Sequence, residues 1–293
     1  MHISAGQPFR LQLLGRLGWM SHDLDFLYPH QLDEEEGADL GVEEELTAPH
    51  GVMAPNLDEA SSSEDEPNSR EENYGSAQCG FDKILDMYEE EQQEGLTEIF
   101  ESEEEAAKHA GCRPEDLVYG CLGLLDQSTA DTDKFRIIHD ATRPGPNRKI
   151  KRRMRRRGQC PRTQDLAHAI AVERKLDAKA RLRAAKIDVK KAHKRIRIKK
   201  KDWKYMPARF GCQGKERFVI NMTGTYGVAS MQFHWGRMAG LLNRLILHAA
   251  LARWSLIYVD DWLTLFIVTA WDTEWDQLAA VLVFLMILGL PFS

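Results

Sequence analysis

The sequence predicts a mixed α+β fold that follows an acidic N-terminal segment, residues 1–75. Short apolar runs rich in aromatic and β-branched residues, such as 254–259 and 262–268, are typical of strands. Longer segments, such as 231–248, carry apolar residues at helical spacing. Because both kinds of segment alternate along the chain, we expect helices and sheets to share one fold.

The N-terminal segment combines acidic clusters with Ser, Pro and Asn and shows no sustained hydrophobic period. Such a composition does not bury enough apolar surface to offset its chain entropy, so we expect residues 1–75 to be disordered. Two roles remain open. We favour a solvated spacer, because acidic tails are common. The alternative is a tail that masks the basic part of the chain until nucleic acid displaces it.

Charge is divided unevenly, and the net charge of −6 hides the division. Residues 31–110 contain 26 Asp and Glu and three basic residues, whereas residues 148–204 contain 24 Lys and Arg and five acids. A dense basic run in the second region predicts sequence-independent contact with a nucleic-acid backbone, and it is also typical of a nuclear localisation signal. Its basic members are Arg148, Lys149, Lys151, Arg152, Arg153, Arg155, Arg156 and Arg157.

Cysteine spacing and hydropathy argue against a disulfide-rich, a zinc-binding or a membrane-spanning protein. The five cysteines form no Cys-x-x-Cys pair and no signal peptide opens the chain, which argues against disulfides and a structural zinc. We therefore expect an intracellular protein of the cytoplasm or nucleus. The longest apolar run, 278–290, is too short to span a bilayer, so we expect no membrane partner. It predicts a core-packed helix closed by Gly289 and Pro291.

Residues 76–160 predict two helices and a hairpin. Apolar positions indicate a helix from Phe81, and a second helix is expected over 102–110. The runs 117–125 and 135–139 then predict two strands joined by a polar turn.

Residues 161–293 predict a longer alternation of helices and strands. A helix is expected from Thr163 or Asp165, then a strand ending at Asp188, a strand at 218–222 and the helix at 231–248. The apolar positions of the first helix are Leu166, Ile170, Val172, Leu176 and Leu182. Core or strand positions between Asp188 and 218 are Ile196, Ile198, Trp203 and Tyr205.

Two histidines of the helix at 231–248, His234 and His248, lack metal-ligand spacing. We expect both on the helix surface.

Three carboxylates stand out in this pattern. Asp260 and Asp261 lie between two predicted strands, at the tip of a hairpin. Adjacent carboxylates repel each other, and a divalent cation is the simplest counter-charge. An acidic turn in water is the alternative, because Asp is a common turn residue. Asp188, at the end of another predicted strand, favours the metal site.

Four motifs together resemble those of reverse transcriptases. Tyr258-Val259-Asp260-Asp261 matches the Tyr-x-Asp-Asp signature, and Asp188 followed by Ala192 matches the first catalytic-aspartate motif. Residues 225–230 are similar to the Gly-x-x-Ser loop beneath the incoming nucleotide, and residues 134–140 to the fingers strand whose Arg binds the triphosphate. The resemblance covers residues 80–293 and is strongest to retrotransposon polymerases.

This resemblance implies a right-hand polymerase fold with fingers in residues 76–160 and a palm in residues 161–293. It implies RNA-dependent DNA synthesis from an RNA or DNA template with a primer and deoxynucleoside triphosphates. Two Mg²⁺ ions, or Mn²⁺, would be held by Asp188, Asp260, Asp261 and the backbone carbonyl of Val189. Asp188 and Asp260 would bridge the metals, and Asp261 would support them or the hairpin.

The resemblance also implies a nucleotide site formed by Arg136, Tyr226, Gly227 and His193. Arg136 would neutralise the triphosphate, and Gly227 would let backbone approach the nucleotide. The matching position of His193 carries Tyr or Phe in retroviral relatives, where the ring blocks a 2′-hydroxyl. Two interpretations of His193 stay equally open: looser discrimination between deoxynucleotides and ribonucleotides, or an ordinary histidine on the surface. Lys134 is a weak match to a second triphosphate-binding Lys.

The chain stops after the predicted palm helix, so we expect an incomplete palm without a thumb. A catalytically inactive retroelement remnant that binds nucleic acid through its basic segment is therefore the alternative function. A viral RNA-dependent RNA polymerase fits less well, because that family usually has Gly where Val259 stands.

Overall fold

The computed structural model describes residues 6–56, 72–143, 145–179, 181–212, 214–268 and 274–292 as a mixed α+β fold. The helices of these residues are α1 (Leu11–Met20), α2 (Leu27–Glu34), α3 (Gly75–Cys79), α4 (Phe81–Gln93), α5 (Glu103–Ala110), α6 (Asn147–Arg153), α7 (Thr163–Leu176), α8 (Ala229–His248) and α9 (Glu274–Ile287). The strands are β1 (Ala54–Pro55), β2 (Thr97–Phe100), β3 (Cys121–Asp126), β4 (Phe135–Asp140), β5 (Arg156–Arg157), β6 (Arg181–Asp188), β7 (Pro207–Phe210), β8 (Arg217–Asn221), β9 (Trp254–Tyr258) and β10 (Asp261–Val268).

The sheet that carries the predicted carboxylates has the order β6-β10-β9, and all its pairs are antiparallel. Its register places Trp262 opposite Ile187, and both side chains are buried. Because strand side chains alternate, the neighbouring positions Asp188 and Asp261 project to the other face. One face therefore packs on the core, and the other presents the carboxylates.

The remaining sheets are small. Strands β2, β8 and β7 form an antiparallel sheet in that spatial order, β3 and β4 form a hairpin, and β1 pairs with β5. The hairpin confirms the predicted strand pair, although β3 begins at Cys121 rather than at 117. A short 3₁₀ turn at Pro114–Asp116 precedes it.

Helix α8 is the centre of the main core. Its apolar side chains at Phe233, Trp235, Met238, Leu241, Leu242 and Leu245 are all buried, as the sequence predicts. The prediction for His234 is wrong. This side chain is 3% exposed, because Tyr28 and the Asp39 backbone cover it.

The N-terminal segment is ordered over residues 6–56 and 72–75, so the expectation of disorder is wrong there. Leucines at helical spacing form α1, and Phe9, Leu14, Tyr28 and Leu40 enter the main core. Averaging over the acidic clusters hid these apolar positions, each of which contributes about 1.5–3 kcal/mol when fully buried. The part of the prediction that covers residues 1–5 and 57–71 lies outside the described residues.

Other predicted elements agree with the structure. Helices α4, α5, α7 and α9 and strand β8 are confirmed. Leu182 is an exception, because it lies in β6 and not in the preceding helix. Ile196, Ile198 and Trp203 are buried as expected, within irregular and 3₁₀ segments. Across the described helices, none combines the length and apolarity needed to cross a membrane.

Candidate active site

The hairpin of β9 and β10 carries two of the predicted carboxylates. Tyr258 and Asp261 are register partners, so Val259 and Asp260 form the turn. Val259 has φ of +56°, a left-handed conformation that strains a β-branched residue. Such strain persists where surrounding contacts determine the backbone.

Two hydrogen bonds supply that constraint. The Trp235 indole Nε1 donates to the Val259 carbonyl at 2.7 Å, and the Val189 N–H donates to the Asp260 carbonyl at 3.0 Å. The first bond ties the turn to α8, and the second ties it to the end of β6. The sequence indicated Trp235 only as a core residue, so its role in holding the turn was missed.

Asp188 reaches the turn from β6. It is the register partner of Asp261, and partners in adjacent strands present their side chains on the same face with Cβ atoms about 4.5–5.5 Å apart. Asp260 immediately precedes Asp261 in the chain and lies in the turn beside it. The structure thus brings together the three carboxylates that the sequence predicts for catalysis and metal binding.

The carboxylates influence one another. Burial raises the pKa of Asp260, and the negative charges of Asp188 and Asp261 raise it further, while the Arg136 guanidinium acts in the opposite direction. A cation placed among these groups would relieve the repulsion. The site therefore has the electrostatic character of a cation site.

The Lys186 ammonium places one positive charge beside these carboxylates. Its Nζ lies 2.9 Å from Asp261 Oδ1, and it is two positions before Asp188 on the same face of β6. Hydrogen bonding to Asp261 raises the pKa of Lys186, and the charges of Asp188 and Asp260 add to this effect. Lys186 was missed at the level of sequence, although its i−2 spacing from Asp188 on a strand would have placed it on this face.

The donor set fits a hard divalent cation, because Mg²⁺ is usually held by one or two carboxylates together with substrate phosphates. The described residues contain no ready-made group of three or more His, Cys, Asp or Glu arranged around a metal position. In this arrangement the Lys186 ammonium serves as the counter-ion of Asp261. The expected Mg²⁺ or Mn²⁺ ions stay a prediction, as does the Val189 carbonyl as a ligand.

Arg136, Tyr226 and His193 lie together beside the carboxylates. The Arg136 guanidinium carbon is 5.9 Å from the centre of the Tyr226 ring, and the His193 ring centre is 4.8 Å from it. Burial, followed by the charge of Asp260, raises the pKa of Tyr226 to about 12, so its hydroxyl keeps its proton at neutral pH. Tyr226 nevertheless remains 43% exposed.

His193 is buried rather than superficial, so the surface alternative is wrong. It is 6% exposed, and neither ring nitrogen has a hydrogen-bond partner within the described residues. Burial lowers the pKa of His193 to about 4, so the ring is neutral at pH 7. A neutral imidazole beneath Tyr226 is a packing partner with unused donor and acceptor capacity.

Gly227 is required by packing of the loop on strand β4. A Cβ at this position would lie 1.5 Å from the His139 carbonyl oxygen, which no side chain permits. Asn147 then holds the loop: its Nδ2 donates to the Gly227 carbonyl at 2.8 Å, and its Oδ1 accepts the Ala229 N–H at 2.8 Å. The predicted approach of this backbone to a nucleotide stays a prediction.

Asn147 was missed because a single Asn in a turn carries no distinctive sequence signal. It begins α6 and contacts the start of α8. It thereby links the basic run to the glycine loop.

The basic run forms α6 and β5. Its exposed members are Arg148, Lys151, Arg152, Arg155 and Arg157, and its half-buried members are Lys149, Arg153 and Arg156. Arg155 Nε lies 2.8 Å from Glu45 Oε1, so this charge is already paired. Arg148, Lys151, Arg152 and Arg157 are exposed to solvent, as phosphate contact requires.

Residues 35–45, here called the acidic strap, lie along the basic residues 197–204. Asp39 Oδ2 lies 2.8 Å from Lys201 Nζ, and Glu43 Oε1 lies 3.1 Å from Lys204 Nζ. The strap is also fixed by backbone, since the Ala38 N–H donates to the Arg197 carbonyl at 2.7 Å. The solvated spacer that we favoured is therefore wrong for these residues, which neutralise part of the basic region.

No protein-family model matches the chain, and no curated protein matches it. Function is accordingly inferred from the residues and their geometry.

Proposed function

We propose that this protein performs template-directed DNA synthesis as an RNA-dependent DNA polymerase of a retrotransposon. The observation that carries the proposal is the convergence of Asp188, Asp260 and Asp261 at one end of the β6-β10-β9 sheet, with Arg136 and Tyr226 beside them. Two-metal nucleotidyl transfer uses clustered carboxylates to hold the ions, and a nearby guanidinium suits the charge of a triphosphate.

In this proposal the fold is a right-hand polymerase, with fingers in residues 76–160 and a palm in residues 161–293. The hairpin β3–β4 belongs to the fingers and carries Arg136, while β6, β9 and β10 belong to the palm. The substrates are an RNA or DNA template with a primer, and deoxynucleoside triphosphates. Synthesis would take place in the cytoplasm or nucleus.

Each side chain has a defined task. Asp188 and Asp260 would hold the Mg²⁺ ions, which when bound would lower the pKa of the attacking hydroxyl and neutralise charge on the leaving pyrophosphate. Asp261 would release Lys186 and support these ions, and Arg136 would pair with triphosphate oxygens through its planar fork. Tyr226, packed on neutral His193, forms the surface beside the nucleotide.

The test is Mg²⁺- and Mn²⁺-dependent extension of a labelled primer. The wild type should extend the primer. Asp188→Asn and Asp260→Asn should each reduce extension at least about 10²-fold, because a metal contributes several kcal/mol of transition-state stabilisation. Asp86→Asn, an exposed change on α4, is the matched control and should retain activity. If all four proteins give the same extension, these carboxylates are not catalytic.

A nucleic-acid-binding role without catalysis is the second candidate. The observation that favours it is the Lys186–Asp261 pair, in which a lysine of the same sheet already balances one carboxylate. This function predicts no extension by the wild type under any metal condition, together with unchanged nucleic-acid binding by Asp260→Asn. Primer extension that depends on Asp260 would contradict it.

A further inference from the structure

Two adjoining cavities run along α8, away from the carboxylate face. One has a volume of about 470 Å³ and lies between α8 and β9, and the other has about 910 Å³ and lies between α8 and residues 151–165. Both are lined by Gly158, Gln159, Cys160, Asp165 and Gln232. Because they share these residues, the two cavities adjoin, and together they are here called the trench.

The outer end of the trench is basic. Lys151, Arg157 and Arg162 line it, and all three side chains are exposed. The acid in this lining, Asp165, accepts the Arg162 backbone N–H at 2.6 Å at the start of α7. Its charge is thus partly engaged in helix capping, and the cations dominate the outer end. Clustered Lys and Arg on a concave surface are suited to phosphate oxygens.

The middle of the trench offers amides. Gln159, Gln164 and Gln232 have exposed side chains that line it. Each amide provides two donors and an acceptor, the groups that pair with base edges. Cations for phosphates therefore stand next to amides for bases.

At the inner end of the trench, α8 presents small residues. Gly236, Ala239 and Gly240 line this cavity, which extends to Val259, the residue before Asp260. Asn243 also lines it, and its Oδ1 has no hydrogen-bond partner within the described residues. A ligand in the trench would therefore lie against the backbone of the catalytic hairpin.

We propose that the trench binds an unpaired stretch of nucleic acid, with phosphates at Lys151, Arg157 and Arg162 and bases at the glutamine amides. Single strands are bound in basic grooves that also contact the bases, whereas the bases of a duplex are already paired. Cavities of about 470 and 910 Å³ are the size of small-molecule pockets, which suits individual unpaired nucleotides. The inference rests on the proposed function for the class of partner, but its test requires no catalysis.

Cys160 provides a probe inside the trench. It is half-buried there, whereas Cys79 and Cys212 are exposed and lie outside the lining. The full chain is alkylated with a maleimide at low salt, alone, with a single-stranded 20-mer, or with the same 20-mer in a duplex, and each cysteine is quantified by mass spectrometry. The single strand should slow alkylation of Cys160 severalfold and leave Cys79 and Cys212 unchanged. The duplex should give little protection.

Charge variants separate the trench from other binding. Lys151→Glu combined with Arg162→Glu should abolish the protection and lower the slope of log affinity against log salt by about 1.4, since each single-strand phosphate that a cation neutralises contributes about 0.7. Lys108→Glu, an exposed change on α5, is the matched control and should keep both. Circular dichroism and thermal melting verify that the variants fold.

Equal protection by the duplex, or unprotected Cys160 in a protein that binds the single strand, would overturn the proposal. So would an effect of Lys108→Glu as large as that of the double variant. The wild-type protein keeps the two hypotheses apart. If the wild type shows no polymerase activity but Cys160 protection persists, the trench proposal stands and the proposed function fails.

Discussion

The Lys186 ammonium lies 2.9 Å from the Asp261 carboxylate, on the sheet face that also carries Asp188. This pair shows how three neighbouring carboxylates coexist on one face. Both partners are largely open to solvent, with side chains 63% and 42% exposed. An exposed ion pair is screened by water and salt and contributes little to stability, so it can be exchanged for a divalent cation at little cost.

Replacing Lys186 with Met should tighten the binding of divalent cations. The variant removes the internal competitor for Asp261, so the dissociation constant for Mn²⁺ should fall, by at most about fivefold because an exposed ammonium competes weakly. Isothermal calorimetry or electron paramagnetic resonance of free Mn²⁺ measures the constant. Lys108→Met is the control and should bind like the wild type. Weaker binding by Lys186→Met would mean that the lysine supports the site.

Asp25, in the N-terminal segment, should stabilise the fold through its ion pair with Arg237. Its carboxylate is fully buried and accepts hydrogen bonds from Arg237 of α8, whose guanidinium also stacks 3.9 Å from the Tyr28 ring centre. Asp25→Ala leaves a buried cation without its partner, so the free energy of unfolding should fall by about 3–5 kcal/mol. Urea denaturation measures this decrease.

The exposed Asp86→Asn variant should change the free energy of unfolding by less than about 0.5 kcal/mol. Adding Arg237→Met to Asp25→Ala should recover part of the stability, because the unpaired charge is then gone. A double variant less stable than Asp25→Ala would show that the arginine stabilises the fold by other interactions.

Several elements were predictable because their signal is local. The strands β9 and β10 and the helix α8 follow from apolar periodicity, and the positions of Asp260 and Asp261 follow from the strands on either side. The start of α5 has a local signal too, because the Ser102 hydroxyl accepts the Glu105 N–H and caps the helix. In each case a few consecutive residues determine the structure.

The errors concern interactions between distant parts of the chain. The acidic strap is stabilised by Lys199, Lys201 and Lys204, which no local pattern links to it. The residues that cover His234 belong to the segment that the sequence predicts to be disordered, so no local pattern indicates that this side chain is buried. The pairing of Lys186 with Asp261 depends on the register of β6 and β10, which no local pattern determines. Tertiary structure therefore decided these positions.

Neutralising the basic run should weaken nucleic-acid binding in a salt-dependent way. Changing Arg152, Arg153, Arg155 and Arg156 together to Gln removes cations from α6, β5 and their junction. The slope of log affinity against log salt for a duplex should decrease by about 0.9 for each phosphate that the variant no longer neutralises. Fluorescence anisotropy at several salt concentrations measures it. An unchanged slope would mean that this run does not touch phosphate.

Protein stability should decrease in acid through His234. The Asp39 carbonyl accepts from Nε2 at 2.7 Å, so Nδ1 is left to accept from the Tyr28 hydroxyl at 3.0 Å, and the ring is neutral. Burial lowers the pKa of His234 to about 4, and the nearby Arg237 and Lys199 charges act in the same direction, against the Asp39 carbonyl. Below pH 6.5 His234 binds a proton in the unfolded chain, whereas in the folded protein it binds one only below about pH 4.

The free energy of unfolding should therefore fall as the pH decreases from 6.5 to 4, with up to about 1.4 kcal/mol per pH unit from this residue. His234→Gln should reduce the slope by that amount, although weaker hydrogen bonding lowers its stability at pH 7. His248→Gln, at an exposed position of the same helix, should keep the wild-type slope. Urea denaturation at half-unit pH steps gives the three slopes. If His234→Gln and the wild type lose stability in parallel, His234 is protonated in the folded protein, and its buried neutral state is refuted.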